Sequence, residues 1–77
     1  MEGGTMADIL SNEDKTAIAN SHKRNLESDK YNLELSLIEE NAVSSPNAGI
    51  IAELQAKLNQ SVAKIAAIDA EIASLTE

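Results

Sequence analysis

The apolar residues in the second half of the chain recur at alternating spacings of three and four. With Ile51 as position a of a heptad, a is filled by Ile51, Leu58, Ile65 and Ile72, and d by Leu54, Ser61, Ile68 and Leu75. Seven of these eight positions are aliphatic, and Ser61 is the exception. This spacing keeps one stripe turned toward a facing helix, because it nearly matches the helical turn. The first half carries the period less cleanly. Ala19, Leu26, Leu33 and Leu37 form one stripe, while Tyr31, Leu35, Ile38 and Ala42 form another well around the same cylinder. One stripe is enough to meet the second helix, so the other predicts a further contact.

The glycines (Gly3, Gly4, Gly49) and the single proline, Pro46, lie in two places and leave two long helices and one turn between them. The expected fold class is all-α, an antiparallel two-helix hairpin resembling a coiled coil, completed by oligomerisation or by a partner protein. Residues 1–10 are expected to be a flexible N-terminal segment and residues 11–77 the hairpin, with a helix over 11–43, a turn over 44–49 and a helix over 46–76. Ser11 is positioned as the N-cap of the first helix, with Asp14 answering it three residues later. Pro46 stops that helix. Ser45 as cap with Pro46 at the first helical position restarts the chain, and Asn47 is an alternative cap.

A connection this short makes the helices antiparallel neighbours. Leu26, Leu33 and Leu37 then face Leu54, Leu58, Ile65, Ile68 and Ile72. Glu34 comes near Lys57, Glu27 and Asp29 near Lys64, and Lys23 and Arg24 near Asp69. Glu39 and Glu40 lie unfavourably for their own helix dipole but close to the N-terminus of the second helix.

Composition narrows the function. Seventy-seven residues with no cysteine and one aromatic, Tyr31, cannot be stapled by disulfides or filled by a large aromatic core. Stability must come from aliphatic helix packing, shared between chains. The net charge of −7 argues against nucleic acid and anionic membrane as partners. The one basic cluster, His22-Lys23-Arg24, is expected to be a solvated or salt-bridged helix face. No apolar run is long enough to span a bilayer, so no membrane insertion is expected. Met1–Thr5 lacks the charged and apolar regions of a Sec signal, which predicts cytoplasmic synthesis.

Catalytic chemistry has little to build on. One histidine and no cysteine supply no nucleophile–base pair, and Glu13-Asp14 and Glu39-Glu40 are adjacent pairs that diverge around a helix and do not converge on a metal. No glycine-rich loop opens a helix to cradle phosphate. The expectation is a non-enzyme with no metal, no cofactor and no small-molecule substrate.

The outer face of the second helix is the more informative feature. A helix in an isolated hairpin should carry charge there. Instead it presents Ala52, Ala56, Asn59, Ala63, Ala66, Ala67, Ala70, Ala73 and Ser74. Small side chains let another helix approach closely. Ala56, Ala63, Ala66 and Ala70, with Tyr31, Leu35 and Ile38 on the first helix, are therefore the candidate interaction residues.

Ser45-Pro46-Asn47 followed by Ile51-Ala52-Glu53-Leu54-Gln55-Ala56-Lys57-Leu58 resembles the turn and second helix of type III secretion needle subunits. Those are helical hairpins that polymerise into a tube, so the resemblance implies a hairpin that assembles through its helices. It covers Ser45–Leu58 alone. The family's second turn proline and its glutamine- and tyrosine-rich continuation are replaced here by Asn59-Gln60-Ser61-Val62.

These readings lead to an expected role as a structural or assembly subunit. It would pack through helix–helix contacts with copies of itself or with another protein, in a larger particle such as a virion or secretion apparatus. The alternative is a small acidic chaperone or adaptor that clamps an amphipathic helix of a partner.

Overall fold

The computed structural model describes residues 9–76, and these fold as an antiparallel pair of helices, α1 (Asn12–Ala42) and α2 (Ala48–Leu75). The all-α hairpin expected from the sequence is the fold observed. The flexible segment expected over residues 1–10 falls mostly on residues 1–8, outside the described residues.

The 31 residues of α1 extend over about 46 Å and the 28 of α2 over about 42 Å. At the start of α1 the capping box is complete. The Asp14 N–H donates to Ser11 Oγ at 3.0 Å, and the Ser11 N–H donates to Asp14 Oδ2 at 3.3 Å. Two of the helix's free N–H groups are thus satisfied, and Glu13 and Asp14 place negative charge at the positive end of the dipole. At the other end Val43 turns to an extended conformation (φ −76°, ψ 160°), and Pro46 prevents any return to α1.

The restart follows the alternative cap and not the first choice. The cap of α2 is Asn47, not Ser45, and the helix begins at Ala48 instead of Pro46. The Asn47 side chain accepts from the Ile50 N–H at 3.1 Å, while the Asn47 N–H donates to Glu40 Oε2 at 3.0 Å. Proline has no N–H to give, so moving the cap one residue past Pro46 supplies a donor that Glu40 can use. The Glu40 carboxylate thereby ties the end of α1 to the start of α2, and that offsets its poor place in its own dipole. Gly49 adds to the fit, because a Cβ there would lie 3.2 Å from Asn47 Oδ1. Replacing Asn47 with Ala should lower stability by about 0.5–2 kcal/mol. Far-UV circular dichroism would register this as an earlier melt with unchanged helicity at low temperature.

The heptad of α2 forms the seam. Ile51, Leu54, Leu58, Ser61, Ile65, Ile68, Ile72 and Leu75 are the eight residues of α2 that are not fully exposed. Opposite them α1 presents Thr16, Ala19, Lys23, Leu26, Lys30, Leu33, Leu37 and Glu40, again at alternating spacings of three and four and all half-buried. Leu26, Leu33 and Leu37 therefore lie in the seam as expected, but lysines alternate with them.

This explains why the sequence of α1 looked less regular. A lysine can lay its methylene stem along the seam while its ammonium stays in water, so the structural stripe is wider than the apolar one. The open end of the hairpin is held by the Asn12 side-chain amide, which donates to the Leu75 carbonyl at 3.2 Å.

Candidate interaction surfaces

No apolar side chain is buried among the described residues. The single buried residue is Ser61, at 8 % exposure, whose small side chain is covered by its larger neighbours in the middle of the seam. Two helices cannot enclose a core, so the aliphatic stripe of α2 remains partly open to water along its whole length.

The candidate residues lie on two surfaces that the fold does not bring together. Ala56, Ala63, Ala66 and Ala70 are all exposed on the side of α2 away from the seam. Their heptad spacing is regular, and over Asn59–Ser74 that outer face carries no charge. Tyr31, Leu35 and Ile38 are exposed on α1, with Tyr31 at 59 % and Ile38 at 64 %. They follow one another at helical spacing and form an apolar stripe.

The structure adds residues that the sequence reading passed over. Val62 is 48 % exposed, and Ile18, Val43 and Ile50 are also exposed. Val62 is at position e, beside the seam, so its heptad place could have shown that α1 would leave it uncovered. Near the open end, Leu10, Ile18, Ile68 and Leu75, with Lys15 and His22, line a shallow groove of 270 Å³.

Of the expected cross-helix charge pairs, Lys23 with Asp69 forms, at 2.7 Å. Glu34 lies 4.0 Å from Lys30 of its own helix, and among the described residues it makes no ion pair with Lys57. The basic cluster, expected as a solvated or salt-bridged helix face, is part salt-bridged and part solvated. Lys23 belongs to the seam and is only partly exposed, whereas His22 and Arg24 beside it point outward.

The Lys23 ammonium is held above its ordinary pKa by its hydrogen bond to Asp69, then by that carboxylate's charge, with Glu27 adding to the effect and partial desolvation opposing it. A raised pKa means the folded state binds this proton more tightly than the unfolded chain. The pair therefore stabilises the hairpin at pH values below the ordinary lysine value of 10.5, and that contribution is lost as the pH rises through the folded pKa. The difference in melting temperature between the wild type and Lys23→Met should stay constant through neutral pH. Above about pH 10 it should shift against the wild type. A difference that is flat through the alkaline range would show that the pair contributes nothing.

Among the described residues, no three of His, Asp and Glu come together as a metal site requires. No described helix is long and apolar enough to cross a membrane. Compared with protein families, curated proteins and solved structures, the chain shows no match. What the geometry offers is helix surface: an uncharged alanine face, an apolar stripe on α1 and a half-covered aliphatic seam.

Proposed function

We propose that this chain is a non-enzymatic assembly subunit that packs through helix–helix contacts with copies of itself or another protein in a larger complex. The observation that carries this reading is that the hairpin leaves every aliphatic side chain of its seam partly wet. Each apolar Å² still exposed represents roughly 25 cal/mol of stabilisation that a neighbouring helix can supply. Over Asn59–Ser74 the outer face of α2 is uncharged and adds a surface on which such a helix meets no charge to desolvate.

The test is the solution mass of the purified chain, measured by light scattering over a wide concentration range. A defined oligomer or polymer supports assembly. A monomer at every concentration, taking up only an added amphipathic helix, would favour the acidic chaperone or adaptor and overturn assembly from copies of itself.

A further inference from the structure

We infer that two intact hairpins pair through the outer face of α1, antiparallel, with the Tyr31, Leu35, Ile38 and Ala42 stripe of one laid on the same stripe of the other. The inference rests on the assembly reading above and names its partner: a second copy.

Neither hairpin has to open. The stripe lies on the side of α1 turned away from α2, so the seam and the Lys23–Asp69 pair stay as they are. At about 100° per residue its four side chains fall within about 60° of one another, and their spacing of four, three and four matches a coiled-coil seam. All four are exposed and none is charged. A like-charged copy therefore meets no charge along the line of contact.

The stripe is its own complement in one register. With the two-fold axis between Ser36 and Leu37, Tyr31 meets the second copy's Ala42 and Leu35 meets its Ile38. Each pair occurs twice, giving successive apolar layers in which the largest side chain faces the smallest. The flanks hold no like-charged pair. Glu39 comes opposite the second copy's Asn32 and Glu34 opposite its Asn41, so each carboxylate faces an amide that can donate to it. Sliding the pair one heptad toward the N-termini sets Ile38 against Ser28 and Glu34 against its own counterpart. Sliding it the other way carries Tyr31 past the end of the facing helix. Tyr31 also lies level with the last turn of the second copy's α1, which has no basic residue and whose final carbonyls lack partners within the helix. Its hydroxyl is placed to donate there while the ring packs on Ala42. A stable dimer buries about 1,200–2,000 Å² in total, and this short overlap buries less, so the expected dissociation constant is about 10 µM to 1 mM. The alanine face of α2 is left free for a separate contact.

The chain contains no cysteine, so single cysteines at Ala17, Ser21 and Ser28, on the same face but outside the apolar layers, each carry one spin label. Pulsed dipolar spectroscopy on the full chain at about 1 mM should find the labels separated along the axis by about 59, 47 and 26 Å respectively. Exchange of the aromatic layer provides a second measurement. Tyr31→Ala should weaken the dimer by about 10-fold or more, because both layers that hold a tyrosine are lost. Adding Ala42→Tyr should recover most of that loss, since tyrosine then faces alanine again. The two positions lie about 17 Å apart along one helix, so rescue can only act between chains. Both are exposed, and circular dichroism should find the hairpin itself unchanged.

An assembled chain with equal distances at all three sites, as a parallel pair gives, or with none short overturns this inference and leaves the assembly reading standing. So does an assembled chain in which Ala42→Tyr fails to rescue Tyr31→Ala. A chain that is monomeric at every concentration overturns this inference and assembly from copies of itself together.

Discussion

Ile65→Ala is expected to lower the melting temperature of the hairpin by about 5–20 °C. Ile65 sits at position a, near the middle of the seam, and is among the residues of α2 that α1 covers. A fully buried isoleucine truncated to alanine loses about 2–5 kcal/mol, part of it transfer free energy and part the cavity left behind. Ile65 is half-buried, and water can reach part of the space vacated, so about 1–3 kcal/mol is the expected loss. In a chain of this size each kcal/mol moves the transition by roughly 4–8 °C.

Ile38→Ala is the control, because Ile38 is 64 % exposed and its truncation should change the monomer's stability by no more than about 0.5 kcal/mol. Thermal denaturation of both variants at one low concentration makes the comparison. Coincident melts of Ile65→Ala and the wild type would mean that the seam does not hold the helices together.

Ala63→Glu is expected to leave helicity and the hairpin melt unchanged while removing the assembly contact made by the outer face of α2. Ala63 is exposed and far from the seam, and glutamate is a good helix former on a wet surface. Against another helix the same substitution would bury an unpaired carboxylate, at a cost of several kcal/mol unless the interface opens. Light scattering and partner capture read the second effect, and circular dichroism reads the first. A variant that assembles and binds as the wild type does would reduce the alanine face to solvated helix. Assembly would then rest on the Tyr31, Leu35 and Ile38 stripe and on the seam of α2.

The sequence by itself determined the two helices, their antiparallel order and the whole seam of α2. It could do so because these are local or periodic properties. Ser11 and Asp14 satisfy each other within one turn, Pro46 ends a helix that reaches it, and the heptad from Ile51 to Leu75 keeps its register with Ser61 as the one departure from aliphatic. Even the Lys23–Asp69 pair followed from counting residues back from the turn. Only the tertiary structure decided the rest. Asn47 displaced Ser45 as the cap because its N–H meets a carboxylate seven residues earlier, a partner that no local rule supplies. Lys23 and Lys30 entered the seam because flexible stems can be half-covered while their charges stay wet, which a division into apolar and polar residues does not express. The open state of the aliphatic stripe was likewise invisible in the pattern. A heptad specifies that a helix wants a neighbour, and the number of neighbours needed to cover it emerges only once the helices are packed.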